Sequence, residues 1–155
     1  MKINWSSIYY SCSRMARNYL IPMTNPRIWV ACILKNGSQI LIGKRKSKHW
    51  SGVYWFPWWH LEMNETILEC AFRECKEETW IQCIQGKILW FTEDIFSTEN
   101  HYVTFFVQVD SFKWVPETLE EEKCEWWEWY SGNNLPKPLF LPIQNLLKQY
   151  PHIFL

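Results

Sequence analysis

Between Thr66 and Thr79, Leu68, Ala71, Phe72 and Cys75 recur at i, i+3, i+4 and i+7, which makes one apolar stripe on an α-helix and predicts a helix laid against a core. Upstream, the run IWVACIL after Arg27 is short, apolar and rich in residues that favour strands. Asn36-Gly37 supplies a hairpin turn, and QILIGKR alternates back as a second, antiparallel strand. Residues 53 to 56 predict a short strand that delivers Pro57 and a turn at 58–59 to the helix start. After the helix, QCIQGKILWFTEDIF and HYVTFFVQVDSF predict two more strands joined by the polar loop STEN at 97–100, with Phe105 and Phe106 as sheet packing. Two prolines stiffen the segment Leu135–Leu141, and Ile143, Leu146 and Leu147 give the stripe of a final short helix. The outline is an α+β domain with a mixed sheet over residues 23–155. Residues 1–22 show no clean period and are expected to be a flexible tail or the product of a start codon placed too early; no function is placed there.

The polar side of the predicted helix carries the chemistry. Glu74, Glu77 and Glu78 stand at i, i+3 and i+4, where mutual repulsion weakens a helix unless a cation lies between them. A solvated acidic face is the plainer reading of three glutamates taken alone. Oxygen ligands with no His or Cys among them suit a hard divalent ion, Mg²⁺ or Mn²⁺, and so phosphate-ester or pyrophosphate cleavage. Glu65 at the helix entrance suits the N-terminal dipole, and Arg73 can reach back to Glu69 or Glu65 as a brace for the carboxylates. Lys44, Arg45, Lys46 and Lys48 leave the second strand just ahead of this region, placed either to meet phosphate or a base edge or to form a solvated loop.

Composition narrows the partners. With 155 residues the chain can bury a full core, and 16 basic against 16 acidic side chains leave no net field to recruit a nucleic acid polymer or an anionic membrane. Six cysteines show no CxxC pair, and Cys32, Cys70, Cys75 and Cys83 lie in apolar runs as reduced core cysteines do, which predicts a cytoplasmic setting. No apolar run reaches the length of a membrane span.

Residues 57 to 81, PWWHLEMNETILECAFRECKEETWI, resemble the signature box of the Nudix family: Glu65, seven residues, then Arg73, Glu74, an apolar residue, any residue, Glu77 and Glu78. Every charged position matches, while Trp59 and Trp80 replace both glycines of the box and Trp58 replaces the first glycine of a ProGlyGly turn. The tail EEEKCEWWEWYSGNNLPKPLFLPIQNLL, residues 120–147, is similar to that of short Nudix pyrophosphohydrolases of free nucleotides, so the resemblance covers about residues 23–155. It implies an α/β/α sandwich with a mixed central sheet. It also implies Mg²⁺ held by Glu74, Glu78 and Glu77 together with a backbone carbonyl at Trp58, and a proton accepted from water by Glu78, Glu77 or an acid such as Glu93 or Glu99. Lys44, Arg45, His60 and Phe140 would meet the substrate, a nucleoside triphosphate or a related pterin triphosphate, and a homodimer is expected. A fold that senses a nucleotide without cutting it is the alternative reading.

Twelve tryptophans against five glycines inverts ordinary usage, in which glycine is about 7% of residues. Trp29, Trp50, Trp55, Trp58, Trp59, Trp80, Trp90, Trp114 and Trp126 all stand where the resembling family often carries glycine, whereas Trp127 and Trp129 match its tryptophans. An indole suits neither positive φ nor close backbone approach to phosphate, so a chain with all nine is expected to fold poorly. A gene from a lineage that reads UGA as glycine, translated with a table that reads it as tryptophan, would produce this pattern. A deliberate glycine-to-tryptophan variant and a real aromatic surface for stacking bases or sugars are the rival readings.

Overall fold

The structure is a computed structural model that describes residues 25–48 and 50–154; the expected leader at 1–22 lies outside the described residues. In chain order the elements are β1 (Arg27–Asn36), β2 (Gln39–Arg45), β3 (Tyr54–Trp55), β4 (Trp58–His60), α1 (Ile67–Thr79), β5 (Gln82–Ser97), β6 (Asn100–Lys113), β7 (Cys124–Ser131) and α2 (Leu141–Gln149). The fold is α+β, with two helices and a mixed seven-stranded sheet in the order β3-β2-β1-β6-β5, with β4 on β1 and β7 on β2.

Strand β1 organises the sheet because every residue from Trp29 to Leu34 is buried, as a strand covered on both faces must be. One edge of β1 runs parallel to β6 from Arg27↔Tyr102 to Leu34↔Val109. Its other edge is shared. The hairpin partner β2 meets β1 only near the turn, at Lys35↔Ile40 and Asn36↔Gln39. Farther along, β4 takes over with Val30↔Trp59 and Ala31↔Trp58, and Pro57 O accepts the Cys32 N–H at 2.7 Å in between. Residues 58–59, expected as a turn, are therefore extended strand, because the buried backbone groups of β1 need partners that β2 has left. The expected strand at 53–56 shortens to Tyr54–Trp55, which pairs with β2. β5 and β6 form the predicted hairpin.

Helix α1 begins where its cap chemistry says it should. Thr66 Oγ1 accepts the Glu69 N–H at 3.2 Å, and Glu69 Oε2 accepts the Thr66 N–H at 2.7 Å, so two N–H groups at the helix start are satisfied reciprocally. Its buried residues include Cys70, Ala71 and Cys75, and Phe72 lies beneath Gly86 of β5. Among the described residues, the cysteines at 32, 70, 75, 83 and 124 are all free thiols, and no helix is long and apolar enough to cross a membrane. Replacing Thr66 with alanine removes one arm of the capping box and should lower stability by about 1 kcal/mol in urea denaturation, with an unchanged slope.

Candidate functional site

The acids expected on one side of α1 divide on folding. Glu74 and Glu78 are buried, at 4% and 2% exposure, whereas Glu77 stays exposed. Arg73 binds Glu65 in a two-pronged pair, Nε to Oε2 at 3.1 Å and Nη2 to Oε1 at 2.8 Å, while its Nη1 donates to Glu74 and reaches Glu77 at 3.5 Å. Of the two partners open to Arg73, the structure selects Glu65, because Glu69 is occupied in the cap. Glu65 also accepts the Glu62 N–H at 2.8 Å.

These surroundings push the acids apart electrostatically. The Arg73 hydrogen bonds hold the Glu65 carboxyl at about 2. Burial raises Glu74 to about 7 in spite of Arg73. Burial also raises Glu78 well above the usual carboxylate range, helped by the neighbouring charges of Glu120 and Glu74. Both oxygens of Glu78 are buried with no hydrogen-bond partner. An ionised carboxylate in that position is costly, and a cation is the group that relieves it, so the donor set fits a hard divalent ion. Glu74, Glu77 and Glu78 are not drawn to a common point, however. Among the described residues, the potential ligand atoms that converge within 4.8 Å are the thiols of Cys32, Cys75 and Cys83 in the core, and the Arg73 guanidinium supplies charge between Glu74 and Glu77.

Of the basic cluster, Arg45 reaches this acidic region: its charge interacts with Glu78 and Glu120, and its guanidinium lies 4.5 Å above the Trp55 ring and 5.7 Å from those of Trp50 and Trp58. Lys44 instead pairs with Glu125 at 3.1 Å and sits 4.6 Å over Trp126. His60 accepts a hydrogen bond from Trp29 Nε1 at 2.9 Å, and Phe140 is buried among the rings of Trp29, Trp50, Trp58 and Phe96. Trp58 places its backbone in β4 and its side chain in the same aromatic cluster. Glu93 and Glu99, offered as further acids, are both exposed.

Two acids were missed. Glu120, ion-paired with Lys123 at 2.6 Å, arrives beside Glu78 and Glu74 on the segment after β6, which is tethered to the end of α1 by Glu117 N–H to Thr79 O at 2.9 Å. Its signal was the acidic run 120–122, read as a family signature and not as part of the site. Asp94, fully buried, accepts hydrogen bonds from Thr92, Thr104 and Asn145 and ties β5 and β6 to α2; nothing in its sequence surroundings marks it.

The comparisons agree with this fold. The family model of the NUDIX domain matches residues 24–150. An ADP-ribose pyrophosphatase of Methanocaldococcus jannaschii is 26% identical over 127 residues, 81% of this chain and 73% of that protein. Among solved structures, a MutT NUDIX hydrolase from Burkholderia pseudomallei superposes with a TM-score of 0.75 at 24% identity, covering 81% of this chain and 98% of that one. The NUDIX domain of Shewanella oneidensis NrtR, solved with ADP ribose, gives 0.67 at 14% identity over 90% and 96% of the two chains. With its box acids on α1, its mixed sheet and a family match that spans most of its length, the chain belongs to the Nudix family.

Proposed function

We propose that the protein is a Mg²⁺-dependent hydrolase that cuts a phosphoanhydride bond in a nucleoside triphosphate or a related nucleotide, an oxidised purine nucleotide or dihydroneopterin triphosphate among them, releasing a monophosphate and pyrophosphate. The observation that carries this reading is the carboxylate of Glu78, buried beside Glu74 with neither oxygen hydrogen-bonded, a position that a bound cation would relieve. Glu74 and Glu78, with Glu77 at the rim, would hold the metal, and Mn²⁺ can replace Mg²⁺ there. When bound, the ion neutralises polyphosphate charge and lowers the pKa of a water at the site.

The residues of the chain do the rest. Arg73, anchored on Glu65, keeps Glu74 and Glu77 aimed. Arg45 lies between the aromatic cluster and the acids, where it can orient a phosphate. Water attacks phosphorus, the bridging P–O bond breaks, and the proton passes to a carboxylate, either Glu78 or Glu77, with Glu120 better placed than Glu93 or Glu99 to serve as a further acid. The relative from M. jannaschii supports a second substrate, ADP-ribose, whose cleavage yields two monophosphates in place of pyrophosphate. A homodimer accompanies the proposal by resemblance, and the cysteine pattern adds a cytoplasmic setting.

Purified protein with glycine at the nine family-glycine positions should release pyrophosphate from at least one member of a nucleotide panel with Mg²⁺, and ADP-ribose in the same panel separates the two substrates by product. Glu78→Gln should lose about 10²–10⁴ of that rate while keeping its circular dichroism spectrum; full activity in this variant would remove Glu78 as ligand or base.

Burial also sets a pH dependence. The Glu74 carboxyl is raised in the folded chain to about 7, so between about 4.5 and 7 the folded state holds a proton that the unfolded state has released, and stability falls as pH rises through that window. In EDTA the melting temperature should therefore drop from pH 5 to pH 8. Added Mg²⁺ should raise it more at pH 8 than at pH 5, because cation and proton compete for the same acids. An equal rise at both values would count against carboxylate ligation.

A further inference from the structure

We infer that the working chain carries glycine at positions 29, 50, 58, 80 and 114, and that the space filled by the indoles of Trp29 and Trp58 is the seat of the substrate's planar base, stacked on Tyr102 and hydrogen-bonded to His60. The second half of this inference rests on the nucleotide reading above.

Backbone geometry carries the first half. The described residues other than glycine with positive φ are Trp50 at 61°, Asn64 at 69°, Trp80 at 62° and Trp114 at 73°. Asparagine enters that region with little strain, but a bulky side chain rarely does, because its β-carbon crowds the neighbouring carbonyl. Three tryptophans do so here at three unrelated places: a loop, the C-cap of α1 and the residue that follows β6. Gly37 and Gly52, at 60° and 79°, occupy the same region. Trp80 is also the left-handed residue that closes α1, a position that glycine commonly fills. What the indoles return for this strain is small, since Trp80 and Trp114 remain 45% and 51% exposed and mainly stack on each other, with ring centroids 5.8 Å apart.

Crowding carries the rest. The Trp29 ring lies 3.6 Å from that of Tyr102, at 18° to it, and 4.2 Å from that of Trp58, which in turn lies 5.2 Å from Phe140. Only about 10 Å³ of free space remains between these walls, Phe56 and Phe106, too little for more than a single water. Trp58 Nε1 is buried there without an acceptor, a cost that no family role explains. Glycine within a strand often marks close approach of a ligand, and positions 29 and 58 are diagonal neighbours across β1 and β4, where Trp29 pairs with His60 and Ala31 with Trp58.

The Trp29 indole shows what would fit once both side chains are gone. A flat heterocycle lies face to face with Tyr102 and donates one ring N–H to His60 Nε2 at 2.9 Å. A 6-oxopurine or pterin ring is likewise flat and carries a ring N–H donor. Arg45, 5.7 Å from the Trp58 ring and in the field of Glu78, lies on the side from which the phosphates would run to the acids.

The test compares the chain as written with W29G/W50G/W58G/W80G/W114G, and with the latter carrying Tyr102→Ala or Tyr102→Phe. The glycine chain should melt at the higher temperature by near-UV circular dichroism. Guanosine, titrated calorimetrically in EDTA so that neither metal nor phosphate contributes, should bind it at least about tenfold more tightly than the written chain. Tyr102→Ala should abolish that gain and Tyr102→Phe should keep it. A written chain that melts higher, or equal guanosine affinity in the two chains, overturns the inference. The intact mass of protein isolated from its source should be lower than the written sequence by five tryptophan-to-glycine exchanges or more; the full written mass overturns it as well. Guanosine binding without nucleotide hydrolysis would instead sink the hydrolase reading and leave the base seat standing.

Discussion

The arrangement depends on burying carboxylates close to guanidinium groups, Arg73 on Glu74 and Arg45 in the field of Glu78. Helix α1 presents Cys70, Ala71 and Cys75 to the core and carries Glu74 and Glu78 inside with them. Ordinary folding penalises this strongly, since an ion taken out of water must find compensation close by. Arg73 compensates Glu74, and Glu65 compensates Arg73, whereas neither oxygen of Glu78 has a hydrogen-bond partner. A helix built in this way has surrendered stability to hold negative charge at one place, as sites that handle polyphosphate and a divalent cation require.

The sheet determines where that charge is presented. Because β1 is paired along one edge by β6 and split between β2 and β4 along the other, its two neighbours on that edge separate around Pro57. Arg45 ends β2 at the end away from the hairpin turn where β2 pairs with β1, and the aromatic cluster around Phe140 lies against β4. Thus a cation, a set of acids and an apolar slot come together although their residues are far apart in the chain. The loop bearing Glu120 closes the acidic side through its tether to Thr79.

The tryptophans act against this arrangement at both levels. At the turn positions they occupy backbone conformations that a β-carbon disfavours, and beside Phe140 the indoles of Trp29 and Trp58 leave only about 10 Å³ of free space. Local preference and global fold disagree at these residues and agree nearly everywhere else.

Much of the fold and of the acidic site was legible along the chain, because local geometry is covalently enforced. The three- and four-residue spacing of Leu68, Ala71, Phe72 and Cys75, the Asn36-Gly37 hairpin and the presence of Glu74, Glu77 and Glu78 on neighbouring turns of one helix follow from helix and turn dimensions alone. Tertiary structure alone decided which acids lose their water: Glu78 is buried and Glu77 exposed because of what packs over α1, and no spacing records that. It also decided that residues 58–60 extend as a strand, that Glu120 and Asp94 arrive from distant segments, and that Lys44 turns to Glu125 while Arg45 turns to the acids. Burial and long-range pairing depend on segments tens of residues away, whose approach is set by the closing of the sheet and not by any local period.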